Sequence, residues 1–445
     1  MVSFWAMLIL LIGLQVATFS PNTLAKGPRS GCSGHRVTPP SDRTWLPLHH
    51  RHGPCSPSHS AGIRTSLASS LRRDKPRAQQ VGRQLSMNNG SSADVTVPTT
   101  LGTSFGTLQY VVSVGLGTPA VPQTVFIDTG SDISWVQCRP CLVPPCHRQK
   151  GVVFNPSNSS TYYSFPCGSA ACARLGDESS NGCSNSHCDY VVKYGDGSNT
   201  TGTYSSDTLT MASTALLHKF LFGCSHAELG FPDSDRTDGL LGLGGGELSL
   251  VSQTGEKAFS YCLPPTESHS GFFTLGVPRI SSSRFAVTPM YGFAKAPTPY
   301  VLILTAITVA GRRLDVPQSV FSAGSIMDSG TIITRLPPTA YRALRAAFRA
   351  EMKMYSPAPP MDDIFDTCFN MSGVGSISVP SVGLVFERGA TLELDQSGIM
   401  LNNCLAFTTN DGDDSVGFIG NVQQRTFEVL YDVGGEAFGF RRGAC

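Results

Sequence analysis

The chain contains two copies of one short motif built around an aspartate. In each copy, an apolar run precedes the aspartate, and a small hydroxyl residue, a glycine and a second hydroxyl residue follow it. The copies are Asp128-Thr129-Gly130-Ser131 and Asp328-Ser329-Gly330-Thr331. An apolar run followed by glycine is typical of a buried strand that ends in a tight turn. Two copies in one chain indicate a single active site shared by two lobes.

Two carboxylates held within hydrogen-bonding distance can hydrolyse a peptide bond. Like charges that close repel, so the pair retains one proton. The ionised carboxylate acts as general base on water, and the protonated one polarises the carbonyl and then protonates the leaving amine. Gly130 and Gly330 allow backbone N–H groups to approach, and Ser131 and Thr331 can donate hydrogen bonds to the carboxylates. No cofactor and no metal is expected.

Short strands are the elements that would position these carboxylates. The 445 residues include 46 glycines and 30 prolines, and 15% of the residues are charged, which indicates a turn-rich chain of strands. The length suits two lobes plus further segments. A surface helix is predicted at residues 339–353, where Tyr341, Leu344, Phe348 and Met352 share one face.

A β-hairpin is predicted between the two motifs. Residues 190–194 and 203–207 are rich in β-formers and flank the turn Gly195-Asp196-Gly197. Taken alone, the pattern fits any surface hairpin. Beside paired aspartates it is also a candidate lid over a cleft, with Tyr194 near its tip.

Charge is divided unevenly along the chain. Residues 26–100 hold 11 of the 33 Lys and Arg but only 3 of the 32 acids, and residues 1–25 hold neither kind. The body from residue 101 therefore carries 22 basic and 29 acidic residues. A basic front segment and an acidic body favour intramolecular attraction; a disordered basic tail is the alternative.

The first residues resemble an export signal. Phe4 to Val16 form an apolar run of suitable length, and Leu24-Ala25 offers a cleavage site. A membrane anchor is the competing interpretation, but the run is short for a spanning helix. We expect a soluble, exported product without a membrane anchor.

Fourteen cysteines in an exported chain indicate disulfide bonds. Seven of them lie between Cys138 and Cys188. Zinc binding by Cys138 and Cys141 with His147 and His187 is the alternative, but histidines at zinc-finger spacing are absent. The sequence alone leaves the disulfide pairing open.

Other functional classes lack their motifs. The glycine-rich residues 242–246 are not followed by the Gly-Lys-Ser/Thr of a phosphate loop. An exported, acidic body also argues against nucleic-acid binding.

Taken together, the motifs resemble the pepsin-like aspartic proteases, and within them the plant nepenthesin-like branch with its cysteine-rich insertion. The resemblance covers nearly everything after about Tyr110. Its residues are Phe126-Ile127-Asp128-Thr129-Gly130-Ser131-Asp132, Trp135-Val136-Gln137-Cys138, Tyr194-Gly195-Asp196-Gly197-Ser198, Leu240-Leu241-Gly242, Ile326-Met327-Asp328-Ser329-Gly330-Thr331 and Phe418-Ile419-Gly420.

The resemblance implies an all-β, two-lobed fold with a few short helices. The expected organisation is a signal peptide (1–25), a basic propeptide (26–100), an N-terminal lobe with the flap and the cysteine-rich insertion (107–282), and a C-terminal lobe (283–445). It implies that Asp128 and Asp328 are catalytic, with Thr129, Gly130, Ser131, Ser329, Gly330 and Thr331 in support. Tyr194, Gly195 and Asp196 would form the flap, and the Trp135 indole would support Tyr194.

The resemblance also implies disulfide bonds. It implies a second-lobe disulfide between Cys368 and Cys404, and it suggests that Cys224 and Cys445 tie the two lobes together. Separately, the sequons at Asn158, Asn199 and Asn370 are compatible with glycosylation.

The expected function is that of an acid-activated aspartic endopeptidase in the secretory pathway, delivered to the apoplast or a vacuole. Residues 46–57 resemble the propeptide motif of this plant group. Propeptide Lys, Arg and His side chains are expected to pair with carboxylates near the cleft, and protonation of Asp and Glu below about pH 4 would loosen them. The expected partners are protein or peptide substrates and the chain's own propeptide as inhibitor, with the enzyme a monomer. The alternative is a catalytically silent binding or inhibitor protein of the same fold; the intact aspartates, hydroxyls and flap residues favour the enzyme.

Overall fold

The computed structural model describes residues 32, 44–59, 70–79, 109–140, 146–194, 197–212, 215–231, 236–276, 285–293, 296–361 and 364–445. The predicted signal peptide and much of the predicted propeptide lie outside these residues. Within the predicted propeptide the structure describes residue 32 and the segments 44–59 and 70–79, and both segments pack against the body.

Strands are the predominant regular element of the described chain. In its first part they are β1 (Thr44–His50), β2 (Tyr110–Leu116), β3 (Val121–Asp128), β4 (Trp135–Gln137), β5 (Tyr163–Ser164), β6 (Ser180–Ser184), β7 (His187–Lys193), β8 (Asn199–Ala212), β9 (Ala215–Leu229), β10 (Gly239–Gly242), β11 (Ala258–Cys262) and β12 (Ser270–Leu275).

The second part of the chain continues in the same way. Its strands are β13 (Ala286–Pro289), β14 (Tyr291–Phe293), β15 (Ala296–Leu302), β16 (Leu304–Val309), β17 (Arg312–Arg313), β18 (Ser325–Met327), β19 (Thr334–Leu336), β20 (Ser356–Ala358), β21 (Cys368–Asn370), β22 (Val382–Phe386), β23 (Thr391–Glu393), β24 (Met400–Leu401), β25 (Cys404–Leu405), β26 (Phe407–Thr409), β27 (Gly417–Ile419), β28 (Glu428–Asp432) and β29 (Ala437–Arg441).

Helices are few and mostly one turn long. They are α1 (70–79), α2 (Ala170–Ala173), α3 (Gly176–Ser179), α4 (Leu250–Thr254), α5 (Pro338–Glu351) and α6 (Gln396–Ile399), with 3₁₀ turns at Pro156–Asn158, Gln318–Phe321 and Glu387–Gly389. Helix α5 confirms the helix predicted at 339–353: it starts with a proline in its first turn, where a missing N–H costs nothing, and it buries Tyr341, Leu344 and Phe348.

A 15-stranded sheet runs through the first lobe and continues into the second part of the chain. Its order is β13-β29-β28-β11-β12-β1-β2-β3-β10-β4-β9-β8-β7-β6, with β5 paired to β8. The second lobe adds a six-stranded sheet, β14-β15-β18-β27-β19-β26, and two four-stranded sheets, β17-β16-β22-β23 and β20-β21-β25-β24. The all-β, two-lobed fold with a few short helices is therefore confirmed.

The same local arrangement occurs in each lobe. In the first lobe, β10 lies between β3 and β4, parallel to β3, with Leu241 opposite Ile127. In the second, β27 lies between β18 and β19, parallel to β18, with Ile419 opposite Met327. The apolar-apolar-glycine segments of the sequence are these two threading strands, and each runs beside the strand that leads to an aspartate.

Candidate active site

The two aspartate motifs meet where β3 and β18 end. Asp128 is the last residue of β3, and Asp328 directly follows β18. Both side chains are buried, because the strands that deliver them are apolar throughout their final residues. The backbone of each aspartate is tied to its threading strand, since Leu243 N donates to Asp128 O and Asp328 N donates to Ile419 O.

Reciprocal hydrogen bonds join the two motifs to each other. Thr129 N donates to Ser329 Oγ at 3.2 Å, and Ser329 N donates to Thr129 Oγ1 at 3.0 Å. The hydroxyls also donate across the interface, to Met327 O and Ile127 O at 3.3 Å each. This two-fold pattern fixes the carboxylates relative to each other, although they come from different lobes.

Each carboxylate is supported by its own motif in the same way. Asp128 accepts from Gly130 N at 3.1 Å and from Ser131 Oγ at 2.7 Å. Asp328 accepts from Gly330 N at 2.8 Å and from Thr331 Oγ1 at 2.6 Å.

A third charged group lies between the carboxylates. Arg77 Nη2 donates to Asp128 Oδ1 at 2.9 Å and to both carboxylate oxygens of Asp328 at 2.8 and 2.7 Å. Arg77 Nε donates to Asp328 Oδ2 at 3.0 Å. A Cβ atom at Gly330 would lie 2.5 Å from Arg77 Nη2 and from Asp128 Oδ1, so the motif glycines leave room for the guanidinium.

Burial and charge set the ionisation of this group. Burial raises the pKa of Asp128, Arg77 opposes that rise, and the neighbouring Asp328 adds to it. Burial disfavours the Arg77 cation, but attraction to Asp128 and Asp328 outweighs it and raises the pKa of Arg77. In the described arrangement, one guanidinium thus balances two carboxylates that would otherwise repel.

Helix α1 delivers Arg77 to this position. Its buried face includes Leu71, Asp74 and Arg77, three residues apart along the helix. Asp74 accepts from Ile332 N at 2.7 Å and from Arg335 Nη2 at 3.0 Å. A buried ion pair one turn before Arg77 thus anchors the helix to the segment that follows Thr331.

The predicted hairpin is formed by β7 and β8, with Tyr194 at its tip. Tyr194 N donates to Ser198 O, which closes the turn. Trp135 Nε1 donates to the Tyr194 hydroxyl at 2.5 Å, so the structure brings together the two residues that the resemblance paired. Gly195 and Asp196 lie outside the described residues.

The disulfide bonds correct one expectation. The structure joins Cys368 to Cys404, as the resemblance implied. A Cys224–Cys445 bond is wrong, because Cys224 pairs with Cys138 along the parallel strands β4 and β9, and Cys445 pairs with Cys262 on β11. The remaining described pairs are Cys32–Cys55, Cys167–Cys183 and Cys172–Cys188.

The structure shows how exposed the candidate glycosylation sites are and whether the described residues could bind a metal ion. Asn158 and Asn370 are exposed, and Asn199 is half-buried at the start of β8. No cluster of three or more His, Cys, Asp or Glu suited to a metal ion occurs among the described residues. For the zinc alternative, Cys138 is committed to a disulfide and His147 is bonded to Glu228.

The sequence predicts basic residues of the front segment near the cleft, but it does not distinguish Arg77 from the other ten Lys and Arg of residues 26–100. The spacing of Leu71, Asp74 and Arg77 was the available signal, since it predicts one helical face on which an acid and a base lie beside an apolar residue. The spacing does not identify the partners of Arg77, because the carboxylates that it contacts lie 51 and 251 residues away in the chain.

Comparison with known proteins follows the same division into lobes. The family model described as "Xylanase inhibitor N-terminal" matches residues 110–277, and that described as "Xylanase inhibitor C-terminal" matches residues 299–442. Among solved structures, edgp has a TM-score of 0.62 at 21% identity, covering 77% of this chain and 93% of that one. Soybean basic 7S globulin has a TM-score of 0.60 at 19% identity, covering 76% and 92%. These two likenesses show the fold alone.

Relatives in sequence carry protease names. An aspartyl protease family protein of Arabidopsis thaliana is 39% identical over 448 residues, covering 96% of this chain and 93% of that protein. Aspartic proteinase nepenthesin-2 of Nepenthes gracilis is 33% identical, covering 84% and 86%. The chain therefore belongs to the pepsin-like aspartic proteases of plants, in the branch that includes the nepenthesins.

Proposed function

We propose that this chain is a secreted aspartic endopeptidase that is synthesised as an inactive, acid-activated precursor. One observation carries the proposal: two buried aspartates from different lobes converge on the Arg77 guanidinium, with every supporting glycine and hydroxyl in place. A converged carboxylate pair is what water activation requires, and an arginine between them is what would keep it silent.

Once Arg77 withdraws, the chemistry belongs to the carboxylate pair. The two carboxyls share one proton, and a water between them loses a proton to the ionised member as it attacks the peptide carbonyl. The protonated member donates to the carbonyl oxygen, which gives a tetrahedral intermediate. As the C–N bond breaks, the nitrogen takes the proton that the other carboxylate received from water, and the carbonyl oxygen returns its proton to the pair. Tyr194, held by Trp135, would close over the extended peptide.

The propeptide is the proposed inhibitor, and acid is the proposed trigger. Burial raises the pKa of Asp128, and attraction to Arg77 lowers it again. Only the Arg77 contribution depends on the propeptide, and a group whose pKa is lowered by a partner binds that partner while it is ionised. Attachment is therefore favoured while Asp128 is a carboxylate and weakens as acid protonates it, with Arg77 still cationic, so the sign agrees with release of the propeptide in acid. The proposed setting is the apoplast or a vacuole, with protein or peptide substrates and a monomeric enzyme; among the described residues, none of the helices has the length and apolarity of a membrane span.

The test compares the acid-treated wild-type chain with an Asp128→Asn variant on denatured haemoglobin at about pH 3–5, where a shared-proton carboxylate pair is expected to work. We expect cleavage by the wild type, its loss with pepstatin, and none by the variant. Equal cleavage by both proteins would reject the mechanism.

A second candidate function is binding without catalysis. It is favoured by the family model, which is described by the name xylanase inhibitor. A binding protein without catalysis does not need the shared proton, so Asp128→Asn would then leave its binding activity unchanged. A wild-type chain that neither cleaves haemoglobin nor binds pepstatin after acid treatment would favour this second function.

A further inference from the structure

A buried ion pair lies behind the flap, in the first lobe. His147 follows the disulfide-bonded Cys146 of the cysteine-rich insertion, and Glu228 lies near the end of β9. The exposed fractions of their side chains are 2% and 0%. Removing two charges from water is costly unless the partners are well placed, so the pair invites a functional explanation.

The hydrogen bonds define the charge state of the pair. His147 Nε2 lies 2.7 Å from Thr237 O, and a carbonyl oxygen can only accept, so Nε2 carries a hydrogen. His147 Nδ1 lies 2.5 Å from Glu228 Oε2. That same oxygen also accepts from Gln137 Nε2 at 3.2 Å and from His147 N at 3.4 Å. Two fixed N–H donors on that oxygen favour the carboxylate, and Nδ1 then also donates to it, which makes His147 an imidazolium.

The imidazole ring of His147 contacts a group of aromatic side chains that surrounds Tyr194, the flap tyrosine. His147 stacks on Phe231 with ring centroids 5.6 Å apart and an interplanar angle of 14°. Phe231 in turn meets Trp135 edge-on at 5.5 Å and Tyr194 edge-on at 6.3 Å. Trp135 also meets His147 edge-on at 6.5 Å. Phe231 thus contacts the ion pair on one side and both flap-supporting rings on the other.

We propose that His147 and Glu228 are positioning residues for the flap: the pair fixes the Phe231 ring, and Phe231 holds Trp135 and Tyr194 in the geometry that lets Tyr194 cover the substrate. The cysteine-rich insertion, which supplies His147, thereby takes part in substrate binding without contacting the reacting atoms. This inference rests on the proposed protease function.

The pair has the properties that such a role requires. It joins two segments that lie far apart in the chain, the insertion and β9, and the ring of its histidine contacts Phe231, which in turn contacts Tyr194 at the hairpin tip. A cation stacked on one aromatic ring stabilises that ring's orientation. Because small errors in the placement of a positioning group are expensive in catalysis, loosening Phe231 should weaken the productive binding of peptide.

The chain offers a direct optical readout. Its three tryptophans are Trp5, Trp45 and Trp135, and Trp5 lies in the predicted signal peptide. In a Trp45→Phe background expressed without that peptide, emission reports on Trp135 alone. The test variant is His147→Gln, which removes the ring that stacks on Phe231. The matched control is His187→Gln, since His187 is exposed and its Nδ1 is bonded to Ser164 Oγ.

For His147→Gln we expect a red shift and altered intensity of Trp135 emission, and a rise in KM for a peptide substrate of about tenfold with a smaller change in kcat per pepstatin-titrated site. His187→Gln should match the wild type in both. Glu228→Gln is the conservative variant: its amide can still bond the ring, so KM should stay within about twofold of wild type.

Wild-type emission together with wild-type KM in His147→Gln would overturn the proposal. If that variant does not fold, Phe231→Leu tests the same contact, because Phe231 is only half-buried; wild-type emission and KM there would also overturn it. The emission measurement needs no activity, so a chain whose emission shifts in His147→Gln but which cleaves nothing would contradict the proposed function and not the contact.

Discussion

One guanidinium nitrogen, Arg77 Nη2, contacts carboxylate oxygens of both aspartates. The inhibition that we propose is therefore inseparable from the ionisation of the groups it inhibits. An apolar plug in the same place would block substrate at every pH. A cation blocks substrate binding only while the carboxylates are charged. Arg77 and the two aspartates can therefore act as a pH-dependent switch.

Arg77→Gln should remove this switch. Loss of one member of a buried ion pair costs about 3–5 kcal/mol, and here the loss falls on propeptide attachment. We expect the precursor to be processed at a pH about one unit or more above that needed by wild type, as followed by gel electrophoresis across a pH series. Lys75→Gln is the control, since Lys75 lies on the same helix with an exposed side chain. An unchanged pH midpoint in Arg77→Gln would show that Arg77 does not hold the precursor closed.

Asp132 gives a second prediction at this scale, concerning stability. Its carboxylate accepts from Gly246 N at 2.9 Å and from Thr298 Oγ1 at 2.6 Å, and burial raises its pKa to about 6. A raised acid pKa means that ionisation is opposed in the folded state, so stability falls as the pH rises from about 4 through about 6.

The expected size of this effect is up to about 3 kcal/mol between pH 4 and pH 7. Asp132→Asn cannot ionise, so its urea-unfolding free energy should lose that part of the pH slope. The measurement belongs in an Asp328→Asn background, which prevents self-digestion. Asp315→Asn, on an exposed side chain, is the control and should keep the wild-type slope. A slope unaltered in Asp132→Asn would refute the assignment.

Residues with short-range signals were predictable and those with long-range partners were not. Asp128 and Asp328 can be identified from their repeated motif, and Tyr194 from the Gly-Asp-Gly turn beside it. The sequence gives His147 no role beyond the zinc alternative, because a single sequence carries no sign that Glu228, 81 residues away, would receive it.

At the scale of elements, β1 is the least expected feature. The charge pattern predicts that the basic front segment is an electrostatic partner of the body or a disordered tail, but β1 lies inside the main sheet, between β12 and β2. Thr44–His50 alternate exposure along the strand, with Leu46 and Leu48 buried in the core. The alternation of apolar and polar residues could be predicted from the sequence. The position of β1 between β12 and β2 could not, because those two strands are more than 150 residues apart in the chain.

His50, the last residue of β1, is buried without a hydrogen-bond partner for either ring nitrogen among the described residues. Its ring meets Tyr110 edge-on at 5.7 Å. Burial lowers the pKa of His50 well below its usual value, and nearby positive groups lower it further. The charged and titratable groups that face it are Arg51, His52, Arg425 and Glu267, the last with an oxygen 3.7 Å from Nδ1.

The sign of this shift favours release in acid. A depressed histidine pKa means that the inserted strand is fully stable above about pH 6.5 and is weakened as the pH falls below it, because protonation puts a charge in the core. His50→Phe should therefore lower the pH midpoint of processing while keeping the contact with Tyr110. His59→Gln is the control, since the His59 ring bonds the His52 carbonyl and lies outside β1. Identical midpoints for His50→Phe and wild type would exclude His50 as a contributor.

At the scale of the molecule, one continuous sheet joins the predicted propeptide to both lobes. Strand β1 pairs with β12 over six residues, from Thr44 opposite Leu275 to His49 opposite Ser270, and with β2 over two. Beyond β12, β11 pairs with β28, and Cys262 on β11 is bonded to Cys445. Two lobes were predictable from two motifs, but the sheet that crosses between them was not, because it is built from strands at opposite ends of the chain.

Because β1 is an interior strand, the precursor should depend on it for stability and the processed enzyme should not. Leu48 is fully buried, and Leu48→Ala removes apolar contact worth about 2–5 kcal/mol. In an Asp128→Asn background that cannot process itself, Leu48→Ala should lower the melting temperature of the precursor by several degrees. In the catalytically intact chain, the same substitution should leave the specific activity of the processed enzyme unchanged, because the proposed processing removes residue 48. Thr44→Ala, at the half-buried start of β1, is the control. If Leu48→Ala left the melting temperature of the precursor unchanged, β1 would not contribute to the stability of the precursor.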